Sequence, residues 1–325
     1  MFVRDKIAVS IGDPNGVGPE IAVRAAAHFV GSALQPVLIG DTMVIAHYAK
    51  REASHLPLRL FVEDTPHDGI AYVAVDTLDP NQFQPGVVSA SAGRATVEYV
   101  RIAVDLVQRG LVRAIVACPH SETAINSAGI AFSGYPSLIA RLTETREDRV
   151  FLMLVASGLR IAHVTLHESV RQALARIDSD LIVAAGLAAV RATEGLGIRN
   201  IRLGVCGINP HAGEAGLFGN EDDQITLPAV TRMRELGIDV TGPVGADLLF
   251  GQRRHDVYLV MFHDQGHIPI KLLSPLRASA LTIGAPIQFS SVGHGSAFDI
   301  AGKGIADPAS VIETLQLLHR AAKEK

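Results

Sequence analysis

Residues 7–20, IAVSIGDPNGVGPE, join a short apolar strand to a turn of glycines and prolines that leads into a helix. The same order of strand, loop and helix returns along the chain. Further apolar runs predict strands over 36–39, 114–117, 150–155, 159–164, 201–205 and 257–261. Amphipathic spacing predicts helices over 20–28, 92–109, 179–193, 227–236 and 310–323. The alternation predicts an α/β protein with mainly parallel sheets covered by helices, which binds ligands at the carboxyl ends of its strands.

The length of 325 residues predicts two domains, at roughly 150 residues per domain. No internal repeat and no linker rich in proline and serine marks a boundary. We place the first α/β domain at 1–130 plus 300–325 and the second at 131–299, with approximate limits.

Composition excludes several classes of protein. Charged residues make up 19% of the chain, the net charge is −4 and the basic residues are scattered, so neither nucleic acid nor a membrane surface is an expected partner. No apolar window of about 18 residues is uninterrupted, which argues against a membrane span. Cys118 and Cys206 are the only cysteines and form no Cys-x-x-Cys motif. Together with an N-terminus that lacks a signal-peptide pattern, they predict a reducing, cytoplasmic location.

Three histidines, His167, His211 and His263, each lie just beyond a predicted strand. Imidazole is a common ligand of divalent metals, and three imidazoles with one open position define a catalytic metal site. Asp264, beside His263, could orient or bind the ion. Each histidine could instead be a loop residue bonded to backbone, and Asp264 could cap a helix. The residues alone leave both interpretations open.

Lys271 follows His263 by eight residues, across the apolar stretch IPI. A partly desolvated lysine beside a metal can act as a general acid or base, or bind a carboxylate. It could equally be a surface lysine whose stem packs on apolar neighbours.

Two other loops leave alternatives open. The glycine turn at 12–18 could hold an anion at a helix N-terminus or form a tight strand-to-helix turn. His120 and Glu122 could form an acid and base pair or cap the segment that follows. Common motifs are absent: there is no G-x-G-x-x-G, Walker A or G-x-S-x-G pattern, and HESVR at 167–171 is not H-E-x-x-H. Ordinary Rossmann and hydrolase interpretations are therefore weakened.

Residues 294–308, HGSAFDIAGKGIADP, resemble the adenosine-binding loop of the isocitrate and isopropylmalate β-decarboxylating dehydrogenases. The resemblance implies two α/β/α domains with a cleft between them. It also implies that Asp299 accepts hydrogen bonds from the ribose hydroxyls, which favours NAD because a 2′-phosphate would be repelled. The implied cofactor-binding residues are His294, Gly295, Ser296, Ala297, Asp299 and Asp307.

From GDPNGVGPE to IADP, the chain is similar to the 4-hydroxythreonine-4-phosphate dehydrogenase family. The resemblance implies that His167 in VTLHES, His211 in NPHAGE and His263 in HDQG bind a divalent metal, expected to be zinc. It implies that Lys271 binds substrate, and we take this lysine as the candidate catalytic group for proton transfer. It also implies a homodimer whose metal site is completed across a two-fold interface.

The chain departs from that family where a phosphate would bind. Residues 134–137, Gly-Tyr-Pro-Ser, replace a Gly-His-Thr-Glu segment, Ala280 and Phe289 replace an Asn and an Arg, and Gly293 replaces an Asp. Each lost charge-assisted hydrogen bond removes about 1.5–3 kcal/mol. A phosphorylated substrate is therefore disfavoured. Tyr135 and Pro136 instead predict a rigid apolar wall for a flat ring.

These departures resemble the terephthalate cis-dihydrodiol dehydrogenase branch of the family. The resemblance implies an NAD- and metal-dependent oxidative decarboxylation of a small dicarboxylate, the dihydrodiol, to protocatechuate, carbon dioxide and NADH. One alternative is a dehydrogenase of a 4-hydroxythreonine-4-phosphate-like or sugar-acid substrate. An alternative from another class is a catalytically silent metabolite-binding protein.

Overall fold

The computed structural model of the protein describes residues 5–62 and 67–323. Its strands, in chain order, are β1 (Asp5–Ser10), β2 (Leu34–Asp41), β3 (Leu58–Leu60), β4 (Ile70–Val75), β5 (Ala114–Ala117), β6 (Phe151–Ala156), β7 (Leu159–His163), β8 (Arg202–Cys206), β9 (Asp239–Val244), β10 (Val257–Val260), β11 (Ser279–Ile283) and β12 (Gln288–Val292).

The α-helices, again in chain order, are α1 (Gly18–His28), α2 (Thr42–Glu52), α3 (Ala90–Gln108), α4 (Glu122–Ser127), α5 (Tyr135–Leu142), α6 (Val170–Arg176), α7 (Ser179–Gly195), α8 (Leu227–Glu235), α9 (Ala246–Gln252), α10 (His263–Leu273) and α11 (Ala309–Lys323). A short 3₁₀ turn, Pro210–Gly213, follows β8. The α/β fold class is therefore as predicted.

The chain divides into two compact units, the first being Met1–Leu138 with Ile287–Ala322 and the second Ile139–Pro286. The predicted domain boundaries, at residues 130 and 300, assigned residues 287–299 to the second domain. In the structure these residues belong to the first unit, because β12 pairs in parallel with β5 along Gln288–Ser291.

The first unit has the predicted parallel sheet, with strand order β3-β4-β2-β1-β5-β12. β2 and β5 are buried along their whole length and mostly apolar, as is typical of strands covered by helices on both faces. The turn after β1 is tight: Gly12 has φ +75°, and a Cβ there would lie 2.2 Å from the carbonyl oxygen of Pro119. Glycine is thus required at this position.

The second unit has the order β11-β6-β7-β10-β8-β9 and is mixed, which corrects the expectation of a mainly parallel sheet. β7, β10, β8 and β9 are parallel neighbours, whereas β6 is antiparallel to both β7 and β11. β6 and β7 form a hairpin through Ser157 and Gly158, both with positive φ. A parallel connection needs a dozen or more residues, so the short gap between these strands permits only the antiparallel pair.

Candidate active site

The loop at 293–308 links β12 to α11 in the first unit. The His294 ring is held by a 2.7 Å hydrogen bond between its Nε2 and Ser310 Oγ. Ser296 is buried, and its carbonyl accepts the backbone N–H of Val17 at 2.9 Å. Asp299 is exposed, whereas Asp307 Oδ1 accepts the N–H of Ala309 and so caps α11.

A buried clamp on α1 holds the end of this loop. The carboxylate of Glu20 is fully buried and accepts the N–H groups of Gly304 at 3.2 Å and Ala306 at 2.9 Å. Arg24 donates to the carbonyl oxygens of the same two residues, each at 2.7 Å. Glu52 in turn accepts a 2.8 Å hydrogen bond from Arg24 Nε. The backbone that follows Asp299 is therefore fixed by charged side chains of the first helix.

The glycine turn that precedes α1 packs against Ser296 of the 293–308 loop. Val17 N–H donates to the Ser296 carbonyl, and a Cβ on Gly16 would lie 2.9 Å from Ser296 Cβ. Asp13 Oδ1 accepts the N–H of Asn15 at 2.9 Å. Of the two interpretations of this turn, the structure therefore favours a tight strand-to-helix connection that supports the 293–308 loop.

In the second unit, the structure brings His167 and His263 together. They follow the parallel neighbours β7 and β10, and their ring centroids are 5.6 Å apart. Thr165 fixes the two loops against each other, because its N–H and its hydroxyl both donate to the Met261 carbonyl, at 3.2 and 2.6 Å. His263 is the first residue of α10, and its Nδ1 lies 2.7 Å from Asp264 Oδ1. Its Nε2 is thus the atom left for an external partner.

His211 lies after β8 in a loop of unusual conformation. Every residue from His211 to Gly216 has positive φ, including four that are not glycine. Buried Asp222 supports the start of this loop by accepting the N–H groups of Ile208 and Asn209 at 2.7 and 2.8 Å. Left-handed backbone at such residues stores strain, and strain of this kind clusters at functional sites.

His211 does not join the pair within one chain. Across residues 5–62 and 67–323, no three His, Cys, Asp or Glu side chains form a group that could hold a metal ion. Of the three candidate ligands, His167 and His263 are therefore neighbours, and His211 forms no ligand group with them in the described residues. A pair of neighbouring imidazoles does suit a divalent transition metal chemically.

Two further histidines belong to the same cluster and were not singled out by the sequence analysis. His163 ends β7 and is 1% exposed, and its Nε2 lies 3.1 Å from His267 Nδ1. The His267 ring stacks on His263 with centroids 3.7 Å apart and planes 10° from parallel. Burial lowers the pKa of His163 to about 3 and that of His267 to about 4. The sequence did carry a signal, since HVTLH and HDQGH at 163–167 and 263–267 share the H-x-x-x-H spacing of one helical turn.

Lys271 lies on α10, eight residues beyond His263, so helical spacing places it on the same side as His263 and His267. Its Nζ donates to the Pro275 carbonyl at 3.5 Å, and burial lowers its pKa. A lysine with a lowered pKa loses its proton more readily than an exposed one. This environment suits proton transfer beside the histidine cluster.

The residues predicted to form an apolar wall lie in an aromatic cluster of the first unit. Tyr135 begins α5 and is 3% exposed, with its ring centroid 4.9 Å from Phe289 and 4.4 Å from His120. Pro136 and His120 are half-buried, so both are more accessible than the Tyr135 ring. Glu122 is exposed at the first position of α4, where Ser121 supplies the capping oxygen.

The other residues that depart from the phosphate-binding pattern also carry no charged side chain. Phe289 is 1% exposed within β12, and Gly293 follows that strand directly. Ala280 lies in β11, in the second unit, opposite Leu154 of β6. Separately, none of the helices in the described ranges is long and apolar enough to cross a membrane.

The chain is a dehydrogenase of α/β fold. The model of the family described as pyridoxal phosphate biosynthetic protein PdxA matches residues 32–318, and the chain belongs to this family. It is 47% identical over 322 residues to a 1,2-dihydroxy-3,5-cyclohexadiene-1,4-dicarboxylate dehydrogenase of a Comamonas species, with 98% of each chain covered. It is 38% identical over 320 residues to a D-threonate 4-phosphate dehydrogenase of Cupriavidus necator, with 95% of each covered.

Solved structures agree with this assignment. A 4-hydroxythreonine-4-phosphate dehydrogenase from Klebsiella pneumoniae superposes with a TM-score of 0.86 at 34% identity, covering 98% of both chains. A terephthalate 1,2-cis-dihydrodiol dehydrogenase from Burkholderia xenovorans LB400 gives a TM-score of 0.74 at 47% identity, again over 98% of both chains. The predicted family is confirmed.

Proposed function

We propose that the protein is an NAD- and metal-dependent dehydrogenase that converts terephthalate cis-dihydrodiol to protocatechuate, carbon dioxide and NADH. The observation that carries the proposal is the 47% identity, over nearly the whole of both chains, to the Comamonas enzyme of that substrate. The uncharged side chains at the expected phosphate positions support it, since Phe289 is buried against Tyr135 and offers a phosphate no hydrogen bond.

The substrate chemistry suits a dehydrogenase of this kind. One ring carbon bears both a hydroxyl and a carboxylate, and its neighbour bears a secondary alcohol. Oxidation of that alcohol, with transfer of a hydride to NAD, gives a ketone β to the carboxylate. Loss of carbon dioxide from a β-keto acid is facile. Here it leaves an enolate that completes the aromatic ring, and uptake of a proton on the enolate oxygen gives the catechol.

For the metal we propose His167, His211 and His263 as ligands, with zinc as the expected ion. When bound, a divalent ion supplies Lewis-acid stabilisation of negative charge on the substrate oxygen. The hydrogen bond from His263 Nδ1 to Asp264 directs Nε2 of that ring outward. Lys271, with its lowered pKa, is proposed to exchange a proton with the substrate or to bind a carboxylate.

We propose a homodimer in which a second copy supplies the missing imidazole. Two observations support it. His211 forms no ligand group with His167 and His263 within the described part of one chain. In addition, α10 exposes Ile268 and Leu272, one helical turn apart, and Leu276 follows the helix, with 56–80% of each residue accessible. Exposed apolar residues of this kind are typical of a subunit interface.

For the nucleotide we propose the loop at 293–308, with exposed Asp299 meeting the ribose hydroxyls of NAD. His294, Gly295, Ser296 and Ala297 would enclose the adenine. Asp307 supports the loop through its cap on α11. The Glu20 and Arg24 clamp keeps the following backbone in one conformation.

The deciding experiment compares substrates on purified protein. We expect NADH formation and carbon dioxide release with the terephthalate dihydrodiol and NAD. We expect very low kcat/KM with 4-hydroxythreonine-4-phosphate and with D-threonate 4-phosphate. The 38% identity to the Cupriavidus enzyme makes a phosphorylated hydroxy acid the second candidate substrate. A higher kcat/KM for either phosphorylated compound would overturn the proposal in favour of that candidate.

A further inference from the structure

The cluster of four histidines in the second unit contains two that the proposed metal site does not use. His167 and His263 are proposed ligands. His163 precedes His167 by four residues, and His267 follows His263 by one turn of α10. We infer that His267 is a positioning residue, which holds the ring of His263 in its ligand orientation and is itself fixed by buried His163. This inference rests on the proposed metal site.

The directions of the hydrogen bonds identify the proton on each ring. His163 Nδ1 lies 3.3 Å from the Leu152 carbonyl oxygen, which can only accept, so Nδ1 is the donor. His163 is buried and neutral, and its Nε2 is therefore an acceptor. The atom facing it at 3.1 Å, His267 Nδ1, must donate, and it also faces the His263 carbonyl at 3.2 Å. His267 is thus held in one tautomer and one ring orientation.

The stacking geometry separates a positioning role from a ligand role. The lone pair of an imidazole nitrogen lies in the plane of the ring, so a bound ion lies near that plane. The rings of His263 and His267 are nearly parallel and face to face, so their lone pairs point side by side and do not converge. His267 therefore does not share an ion with His263 in this arrangement, and instead covers one face of that ring.

Two restraints then act on His263. Asp264 Oδ1 binds its Nδ1 at 2.7 Å and selects the tautomer that leaves the Nε2 lone pair available. The His267 ring restricts rotation of His263 about its χ2 angle, which is otherwise broad for an imidazole. Groups that orient a ligand in this way change metal affinity by about 10–100-fold when they are removed.

Zinc affinity of the purified full-length protein tests the inference, measured by competition with a chromophoric chelator. We expect His267→Ala to weaken zinc binding by about 10–100-fold. His267→Phe keeps a flat ring on His263 and should retain most of the affinity. His163→Leu should weaken binding by a smaller factor, because His267 keeps its bond to the His263 carbonyl. His55→Ala, at an exposed histidine of the first unit, is the control and should bind as wild type does.

The outcomes distinguish the inference from the proposed function. Wild-type affinity in folded His267→Ala would overturn the inference, and so would a loss as complete as that of His263→Ala, because His267 would then be a ligand. Absence of zinc binding by the wild type would instead overturn the proposed metal site. A metal-free measurement covers variants that fail to fold: ring ¹⁵N shifts of the wild type should report an Nδ1 proton on both His163 and His267. An Nε2 proton on either ring would overturn the inference.

Discussion

The carboxylate of Glu20 accepts the backbone N–H of Ala306 at 2.9 Å, although 286 positions separate the two residues in sequence. Glu20 lies in the first turn of α1, directly after the glycine turn, and it is fully buried. Together with Arg24 it satisfies both polar groups of the backbone at Gly304 and Ala306. The first helix of the chain thus shapes the loop proposed to bind NAD.

Glu20→Gln should therefore weaken nucleotide binding. A glutamine side chain has one acceptor oxygen where Glu20 uses two, and its amide would face the N–H of Gly304 or Ala306. An unsatisfied buried donor costs about 1–3 kcal/mol, so we expect a lower Tm and about a tenfold higher Kd for NAD. Titration calorimetry measures the Kd. Glu235→Gln, on the exposed surface, is the matched control, and equal Kd values in the two variants would contradict the clamp.

Asp299 should set the choice between the two nicotinamide cofactors. Its carboxylate is exposed in the loop and would repel the 2′-phosphate of NADP while accepting bonds from the ribose hydroxyls of NAD. We expect a higher kcat/KM with NAD than with NADP. The variant Asp299→Ser should lower the ratio of these two kcat/KM values. An unchanged ratio in that variant would exclude Asp299 as the discriminating group.

Removal of either His211 or His263 should abolish metal binding. A three-imidazole site that loses one ligand holds a divalent ion much more weakly. We expect His211→Ala and His263→Ala to be purified without zinc, as measured by elemental analysis, and to lose nearly all turnover. Full zinc content and activity in either variant would refute the ligand assignment. His55→Ala controls for the effect of deleting an imidazole elsewhere.

Mixing these two inactive variants should restore activity if the site spans two subunits. A heterodimer of His211→Ala and His263→Ala chains contains one site in which all ligands are intact, because the two deletions then fall in the other site. Random exchange makes half of the dimers mixed, so about a quarter of wild-type turnover is expected. A site confined to one chain would show no recovery after subunit exchange.

Asp13 should make the stability of the protein depend on pH. Burial raises its pKa to about 6, against the opposing hydrogen bond from the Asn15 N–H, and Oδ2 has no hydrogen-bond partner among the residues that the structure describes. A carboxyl whose folded pKa lies above its unfolded value of 3.8 favours the native state when protonated. Between pH 4 and pH 6, roughly the two pKa values, native stability should therefore fall as the pH rises.

The variant Asp13→Asn isolates this contribution, because it has no proton to lose. As the pH rises from 4 to 6, the Tm of the wild type should fall relative to that of the variant. Above pH 6 the difference between the two Tm values should become constant. At pH 7 the shift corresponds to about 3 kcal/mol for two pKa units, as an order of magnitude. A difference that stays constant from pH 4 to pH 7 would contradict the burial argument.

The sequence predicts elements well where the buried residues are continuously or periodically apolar. The run 114–117 coincides with β5, and 92–109 overlaps α3, because a strand or helix face buried in the core is continuously or periodically apolar. The strands that were missed are β3, β4, β9, β11 and β12. β3 and β9 are edge strands, which need no such pattern, whereas β11 is fully buried but contains the polar residues Ser279 and Thr282. The start of α10, HDQGH, was interpreted as a loop because its first turn is polar and glycine-containing.

The candidate site was predictable only in part, because its decisive contacts are distant in sequence. His167 and His263 could be placed together from the rule that parallel strands end on one side of a sheet. The hydrogen bond between His163 and His267 joins residues 104 positions apart, and His163 lies inside an apolar run that predicts only a strand. The buried ring of Tyr135 likewise packs against Phe289, which no local pattern links to it.

The anchoring of the 293–308 loop bears on how fast and at what entropic cost a nucleotide binds. Val17, Glu20 and Arg24 hold the backbone of residues 296, 304 and 306 through hydrogen bonds within the protein. Ordering a free backbone costs about 1–2 kcal/mol per residue in conformational entropy. Because this loop is already ordered, that cost does not reduce the free energy of nucleotide binding. Association should then follow a single step in stopped-flow traces, with a rate linear in nucleotide concentration and no slow loop-closing phase.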